Sequence, residues 1–319
     1  MKNECRLLLV LVINIMVMAL VSRLFILSPM KPAVQTDCPQ FAVICNNPGS
    51  GWDALRHGID QAAREYGVAV EYLVSTFSGD GADDSSIRMA AESHVDGIAI
   101  LPTSGDSGEA VAYAVEHGIP VVTMVYDIPL SGKNSFVGAD AATYGKSLLE
   151  AVQDFGGNVK NVGLIYSGEV NQERIEAVEQ MLRQQYTLRT VSRSSSHIFD
   201  ASETVKELSM DSEDLEMICC MDDNTTQGAV QAVVDCNMVN RLCIIGTGES
   251  ENVLSMVEKG VVAAVILTDY KQIGYSSITT LCRLQQGEPV ANDDTAEDCL
   301  RVVTQETAAL YAKESAHGT

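Results

Sequence analysis

Short runs of apolar residues alternate with segments of helical periodicity along most of the chain. In the intervening segments apolar residues recur every three or four positions, as on one face of a helix. Alternating strands and helices predict an α/β fold with parallel sheets. The predicted strands are Phe41–Cys45, Val68–Val74, Gly97–Leu101, Pro120–Met124, Val162–Tyr166, Leu188–Val191, Met217–Cys220, Leu242–Ile245, Val261–Leu267 and Leu300–Val303.

The strand and helix pattern restarts at Val162, after a long predicted helix over Thr143–Phe155. The number of strands exceeds what one nucleotide-binding type of sheet needs, so we expect two similar Rossmann-like lobes. Parallel sheets bind ligands at the carboxyl ends of their strands. Polar residues follow most of the predicted strands, which places a candidate cleft between the facing strand ends.

The N-terminus predicts an export segment. Lys2 and Arg6 precede an apolar run that begins at Leu7 and resumes after Arg23. The segment from Leu7 to Leu27 is 21 residues long. That length spans a bilayer. We expect an uncleaved anchor over residues 1–28, a linker over residues 29–39 and an extracytoplasmic remainder, whereas cleavage would give a secreted protein.

Composition excludes several classes. The 319 residues are 46% hydrophobic, which suits a folded protein of two lobes. A formal net charge of −22 argues against nucleic acid as a partner. The nine cysteines include no Cys-x-x-Cys pair, so we expect no metal site, and we expect Cys45, Cys219, Cys220 and Cys243 to pack as core thiols.

Short motifs recur along the predicted lobes: Asp96–Pro102, Gly118–Val122, Ser135–Asp140, Gly145, Glu173-Arg174, Asp222-Asp223, Gly228-Ala229, Ile244–Gly248, Glu258–Gly260, Ala264 and Gly274. In their order and spacing these motifs resemble bacterial periplasmic sugar-binding proteins of the ribose/galactose type. The resemblance extends over residues 40–311.

The resemblance implies a periplasmic binding protein of type I, with lobes joined by crossover hinge segments. The first lobe would comprise residues 40–139 and 269–291, the second residues 140–268 and 292–311, and residues 312–319 a polar tail. A small polar ligand, a sugar, would be captured between the lobes by hinge closure.

Sugar sites combine aromatic faces with carboxylates and amides. By resemblance, Trp52 and Phe199 would stack on the ring and Asp222 would accept hydrogen bonds, while Asp223 would cap the next helix. Alternative structural roles remain open for each of these side chains. The remaining ligand-binding candidates are Asn46, Asn47, Asp53, Thr103, Tyr126, Asp127, Gln172, Arg174, Gly248, Glu249 and Thr268.

Some of these positions depart from the family pattern. An Asp or Asp-Arg pair typical of ribose binders is replaced by Val125 and Tyr126, and Thr268 stands where Gln or Asn is usual. Arg174 lies two residues after the usual contact position, which is Gln172. These departures argue against ribose itself but leave the fold prediction intact.

Two kinds of partner are compatible with this prediction: the permease of an ABC importer and a membrane sensor kinase. A cofactor enzyme is a further alternative, because Gly49–Ala54 matches the dinucleotide fingerprint and Glu71 follows 20 residues after Gly51. Glu71 lies in the middle of its strand rather than at its end, however, and no nucleophile and base pair is recognisable. We therefore expect no catalytic residues, no cofactor and no enzymatic activity.

Overall fold

The computed structural model describes residues 38–317, apart from residues 47, 50, 76–80, 104–105, 169, 196, 212–213 and 291–298. The described residues from Pro39 onward form one compact unit. The predicted anchor and residues 29–37 of the predicted linker lie outside the described residues. In the part of the chain that is described, no helix is long and apolar enough to cross a membrane.

Strands and helices alternate along the chain. The strands are β1 Gln40–Cys45, β2 Ala69–Val74, β3 Gly97–Leu101, β4 Val121–Met124, β5 Ser135–Val137, β6 Asn161–Tyr166, β7 Thr187–Arg193, β8 Met217–Cys220, β9 Cys243–Thr247, β10 Ala264–Thr268 and β11 Leu300–Thr304. The helices are α1 Trp52–Tyr66, α2 Ala82–Glu92, α3 Gly108–Glu116, α4 Ala141–Gly156, α5 Gln172–Gln185, α6 Ile198–Asp211, α7 Asp223–Asp235, α8 Glu251–Glu258, α9 Tyr270–Gln285 and α10 Gln305–His317.

These strands form two sheets. The first has the order β2-β1-β3-β4-β5 and is parallel throughout. The second has the order β11-β10-β9-β8-β6-β7, and its pairs are parallel except that β11 runs antiparallel to β10. The predicted α/β fold of two parallel-sheet lobes is therefore confirmed.

Burial differs between the inner strands and two of the edge strands. The inner strands β4 and β8 are buried at every residue, whereas the edge strands β2 and β7 alternate between exposed and half-buried residues. Inner strands of a parallel sheet are covered by helices on both faces, which explains their continuous apolar sequences. Cys45, Cys219 and Cys220 are buried in strands, as predicted, and Cys243 is half-buried.

The chain passes between the two sheets three times. It leaves the first sheet after β5 and enters α4, which packs on α5 and the second sheet. After β10 it returns as α9, which packs on α1 and contacts β3 and β4. It then comes back to the second sheet as β11. The sites of crossing lie next to the carboxyl ends of β5 and β10.

Two details differ from the sequence-based expectations. The three-residue strand β5 was not among the predicted runs, because it is too short to give a periodic signal. The strand predicted to begin at Val261 begins at Ala264, because the N–H groups of Val261 and Val262 donate to the carbonyl of Met256 at 2.9 and 3.2 Å and close the end of α8.

Candidate functional site

A cavity of about 240 Å³ lies where the carboxyl ends of strands from both sheets face each other. Residues from the first sheet and its loops form what we call the first wall: Gly49, Gly51, Trp52, Leu55, Leu101, Pro102, Thr103, Val125 and Tyr126. The second wall consists of Gly168, Val170, Asn171, Arg174, Met221, Asp222, Asp223, Thr247, Gly248, Glu249 and Ser250. Thr268 and Tyr270 line the cavity at the β10–α9 crossover.

The structure brings many of the predicted ligand-binding residues to this cavity. They come from separate loops that follow strands or begin helices, as the rule for parallel sheets requires. Those that line it are Trp52, Thr103, Tyr126, Arg174, Asp222, Gly248, Glu249 and Thr268.

Arg174 connects the two walls. It lies on α5 and is only 5% exposed, and its Nη2 donates to the carbonyl oxygens of Val125 at 3.2 Å and Ala139 at 3.1 Å. The guanidinium carbon lies 4.5 Å from the ring centres of both Tyr126 and Tyr144. Its Nε is buried without a hydrogen-bond partner. A buried donor without a partner carries a free-energy cost.

The carbonyl that receives Arg174 belongs to a strained turn. Val125 has a φ of +66°, which is rare for a β-branched residue. The N–H of Tyr126 donates to the carbonyl of Met124 at 2.7 Å, which closes a γ-turn, and the N–H of Val125 donates to Val137 at 2.9 Å. Backbone strain of this kind costs about 1–3 kcal/mol. The surrounding hydrogen bonds hold the turn in place at the cavity.

Tyr144 supports the second wall from behind. It is fully buried on α4, and its hydroxyl and that of Thr247 share a hydrogen bond of 2.6 Å. Burial raises the pKa of Tyr144 to about 12, so the phenol stays neutral at physiological pH. Tyr144 was not among the predicted site residues, because it lies within a helix and not after a strand.

Asp222 has a structural role as well as a place in the cavity. Its Oδ1 accepts from the N–H of Thr225 at 2.9 Å, and its Oδ2 accepts from the N–H of Ser167 at 2.8 Å. It therefore caps α7 and joins two strand-end loops. Burial raises the pKa of Asp222 above its usual value, against the lowering effect of these hydrogen bonds.

Asp223 was expected to cap α7, and this expectation is wrong. The cap is Asp222, whose extended backbone lets its side chain reach the N–H of Thr225, three residues along the chain. Asp223 instead accepts from the N–H of Ser250 at 3.1 Å and from Nε2 of Gln227 at 2.5 Å. Its carboxylate lines the cavity and fixes the loop that carries Glu249.

Glu249 lies two residues after the end of β9, and its exposed side chain lines the cavity. Crowding by protein atoms partly removes water from its carboxylate. This desolvation raises its pKa, and the charges of Asp269 and Asp223 act in the same direction. The second wall therefore presents three carboxylates, those of Asp222, Asp223 and Glu249, against the single guanidinium of Arg174 among its described residues.

Trp52 provides an aromatic surface on the first wall. Its ring meets the ring of Tyr72 edge-on, with centroids 6.1 Å apart, and the hydroxyl of Tyr72 donates to Asp60 at 2.6 Å. Tyr270 lies close to the backbone that precedes Trp52. A Cβ atom placed on Gly51 would fall 2.5 Å from the Tyr270 ring. Both aromatic side chains line the cavity.

Other predicted residues lie elsewhere. Asn46 is buried behind the first wall, where its amide donates to Asp83 at 2.9 Å and to Ser86 at 3.2 Å. Asn46 therefore connects the end of β1 to α2 and does not line the cavity. Asp83 also accepts from the N–H and hydroxyl of Thr103. Asn47 lies outside the described residues.

Four further candidates are also absent from the cavity lining. Asp127 forms an ion pair of 2.7 Å with Lys133. Gln172 is exposed, and its amide donates to Glu176 one helical turn away at 2.9 Å, because the side chain points along the outer face of α5. The remaining two are Asp53, which is exposed, and Phe199, which is 71% exposed in the first turn of α6.

Several lining residues were not among the candidates. Tyr270 begins α9 immediately after a strand, and Asn171 caps α5 with its Oδ1 accepting from the N–H of Glu173 at 2.8 Å. Both follow the strand-end rule and could have been found by applying it to every helix start. Gly168, Val170 and Met221 have no polar side chain, so their sequence carries no ligand-binding signal, and the hydroxyl of Thr247 bonds to Tyr144.

The described residues include no group of three or more His, Cys, Asp or Glu side chains suited to a metal ion. The dinucleotide fingerprint also lacks its acidic partner at the expected place. Glu71 lies inside β2, where it pairs in register with Ala42 and accepts from the amide of Gln40 at 3.3 Å. An acid that binds ribose follows its strand, so this arrangement does not suit a dinucleotide.

Comparison with known proteins gives a family match. A model described as periplasmic binding protein domain matches residues 41–289. The ABC transporter periplasmic-binding protein YphF of Escherichia coli strain K12 is 26% identical over 235 residues, which are 69% of this chain and 72% of that protein.

Solved structures share the fold. The XylFII-LytSN complex aligns with a TM-score of 0.73 and 22% identity over 84% of this chain and 98% of that one. A carbohydrate transporter solute binding protein from Agrobacterium radiobacter, in complex with D-arabinose, aligns with a TM-score of 0.76 and 17% identity over 88% of this chain and 99% of that one.

Proposed function

The chain belongs to the periplasmic binding protein domain family, and from this premise we propose that it captures a sugar in the cavity between its two sheets. The observation that carries the proposal is the contrast between the walls. The first wall is aromatic and apolar and has no charged side chain among its described residues, whereas the second has three carboxylates and a buried guanidinium.

This contrast suits a monosaccharide. The apolar C–H face of a sugar ring packs on aromatic side chains such as Trp52, and its hydroxyl groups donate to carboxylates such as those of Asp222 and Glu249. A volume of about 240 Å³ is below the range of about 300–1,000 Å³ that is usual for drug-sized ligands. The size therefore favours a small ligand.

We propose that the two lobes close on this ligand by a hinge motion. Our proposed boundaries are residues 40–139 with 269–291 for the first lobe, and residues 140–268 with 292–311 for the second. Two short crossover segments, around Val137 and Thr268, adjoin the cavity. A few residues of this kind can absorb the backbone rotation that brings one lobe toward the other.

The family match places the chain outside the cytoplasm. We propose delivery of the sugar to an ABC importer, in keeping with the name of the E. coli relative, and attachment to the membrane through residues 1–28. The chain is a binding protein and not an enzyme, because the family and that relative are described by binding alone.

A second role is presentation of the bound state to a sensor in the membrane. The observation that favours it is the fold shared with the XylFII-LytSN complex, which contains a partner chain. Crosslinking in the producing cell, followed by mass spectrometry of the captured membrane proteins, distinguishes the roles. An importer permease supports delivery, and a sensor kinase supports signalling.

The sugar proposal is tested by thermal unfolding of the protein with D-ribose, D-arabinose, D-xylose, D-glucose, D-galactose, their alcohols, nucleosides, NAD and FAD. Binding to the folded state adds about 2.7 kcal/mol when the ligand exceeds Kd a hundredfold. We expect a sugar to raise the melting temperature. Trp52→Ala should abolish the rise, and Phe199→Ala, an aromatic change away from the cavity, should preserve it. Stabilisation by NAD or FAD alone, or by no sugar, would contradict the proposal.

A further inference from the structure

One described side chain of the C-terminal helix contacts a residue that lines the cavity. Tyr311 lies on α10, outside both walls, and its hydroxyl donates to Oε2 of Glu249 at 3.2 Å. The two residues are 62 positions apart in the chain. Neither the sequence pattern nor the proposed sugar site uses Tyr311, so this contact requires its own explanation.

The backbone of Glu249 is fixed independently of Tyr311. Gly248 has a φ of +125°, and a Cβ atom placed on it would fall 2.2 Å from Oδ1 of Asp223. The N–H of Ser250 donates to the same Oδ1 at 3.1 Å. Because the backbone is held on both sides of Glu249, only its side chain can still change direction, by rotation about its torsions.

Tyr311 is itself held by its neighbours. The helix α10 packs on α8 and on β11. The guanidinium of Arg301, on β11, lies 5.7 Å from the ring centre of Tyr311. This contact and the half-buried position of the ring limit its movement. The hydroxyl is therefore presented to Glu249 from a packed element and not from a free surface side chain.

Two further carboxylates affect the ionisation of Glu249. The charged groups acting on its carboxylate are Asp223 on α7 and Asp269 at the start of α9, and both oppose its ionisation. The hydroxyl of Tyr311 is the donor that favours the charged form. Without this donor the carboxylate would be less well oriented and more easily protonated.

We propose that Tyr311 is a positioning residue of the ligand site: it fixes the Glu249 carboxylate as a charged acceptor for a ligand hydroxyl and thereby makes the C-terminal helix part of that site. This inference rests on the proposed sugar-binding function. Tyr311 does not line the cavity, so its effect on the ligand is exerted through Glu249.

The test uses Tyr311→Phe, which removes only the hydroxyl. The matched control is Tyr275→Phe, because the hydroxyl of Tyr275 donates to Glu65 at 2.9 Å on a surface away from the cavity. In the protein labelled with ¹³C-glutamate and free of ligand, the Glu249 carboxyl signal is assigned with Glu249→Gln and titrated by NMR. We expect Tyr311→Phe to raise the pKa of Glu249 and Tyr275→Phe to leave it unchanged.

Binding gives the second readout. Affinities for D-ribose, D-arabinose, D-xylose, D-glucose and D-galactose are measured by calorimetry at pH 7 and pH 5. We expect Tyr311→Phe to weaken the binding of any sugar that the wild-type protein binds by about fivefold or more. The loss should be larger at pH 5, and it should vanish in a Glu249→Gln background, where no charged acceptor remains to be positioned.

The outcomes separate the two proposals. An unchanged Glu249 titration in Tyr311→Phe, or an equal loss of affinity in Tyr311→Phe and Tyr275→Phe, overturns the positioning role. If the wild-type protein binds none of the five sugars, the sugar proposal fails and the ligand-free titration alone decides whether Tyr311 controls Glu249.

Discussion

At the scale of single residues, the site depends on buried polar groups that serve the fold and the cavity together. Asp222 caps a helix and lines the cavity, and Arg174 joins the two walls while its Nε has no partner. The turn at Val125 is strained, yet it directs a carbonyl to that guanidinium. Changes at these residues should therefore affect stability as well as binding.

Replacing Arg174 by Met should lower the free energy of unfolding by about 3 kcal/mol, because the buried carbonyls of Val125 and Ala139 lose their charged donor. Arg183→Met is the control on the same helix. Arg183 forms an exposed ion pair with Glu179, and its loss should change stability by less than about 1 kcal/mol. Urea unfolding measures the free energy of unfolding of both variants. Equal losses of stability would show that the hydrogen bonds of Arg174 contribute no more than the exposed ion pair of Arg183.

The pH dependence of stability should reveal the burial of Asp222. Its pKa is raised in the folded state, so its contribution to the free energy of unfolding is full at acid pH and is lost as pH rises through that raised pKa. Asp222→Asn cannot ionise. Its stability relative to the wild-type protein should therefore increase between pH 4 and pH 7 in urea unfolding experiments.

Glu216 provides a comparison of opposite sign. The N–H groups of Lys160 and Asn161 donate to its carboxylate and lower its pKa. The stabilising contribution is therefore present at neutral pH and is lost as pH falls. Glu216→Gln should be most destabilised relative to wild type at pH 7. Parallel pH profiles for the Glu216 and Asp222 variants would contradict these assignments.

At the scale of elements, the contact between α1 and α9 brings two helices close enough that side chains do not fit between them. A Cβ atom on Gly58 would fall 1.9 Å from the carbonyl oxygen of Lys271, and one on Gly274 would fall 2.1 Å from that of Leu55. The pair holds the β10–α9 crossover against the first sheet. Both helices also begin at the cavity, with Trp52 and Tyr270.

Gly274→Ala should destabilise the protein by about 1–3 kcal/mol or more, because the added methyl group forces the two backbones apart. Gly108→Ala is the matched control in another helix, since its nearest contact, with Ser131, would be an ordinary 3.8 Å. We expect it to be neutral or slightly stabilising, because Ala has the higher helix propensity. Melting temperatures measured by circular dichroism test the pair, and similar changes in both would contradict the close packing.

At the scale of the whole molecule, two sheets with opposite chemistry face a single cavity. The first wall supplies aromatic surface and the second supplies charge, so neither alone satisfies both faces of a sugar. A ligand that contacts both walls would stabilise an arrangement in which they lie close together. Binding energy and lobe closure would therefore be coupled.

We expect the radius of gyration from small-angle X-ray scattering to decrease when a bound sugar is saturating. Arg174→Met should reduce this change, since Arg174 connects α5 to the first wall. Arg183→Met should show the same decrease as the wild-type protein. Unchanged scattering at saturation would contradict hinge closure while leaving sugar binding intact.

The order of elements and the fold class can be read from the local pattern of residues alone. Continuous apolar runs such as Met217–Cys220 are buried on both faces of a parallel sheet, so their pattern identifies inner strands without further information. The motifs around Asp222 and Gly248 also identified loops that do line the cavity. Strand ends are local features of sequence, and the parallel topology makes their position predictable.

Only the tertiary structure decided which way the side chains of those loops point. Asn46 faces Asp83 behind the wall, Gln172 faces Glu176 on the surface, and Asp222 takes the capping role expected of Asp223. The contact of Tyr311 with Glu249 joins residues 62 positions apart. Side-chain direction and long-range contacts depend on helix starts and packing between distant elements, for which the local order of residues carries no signal.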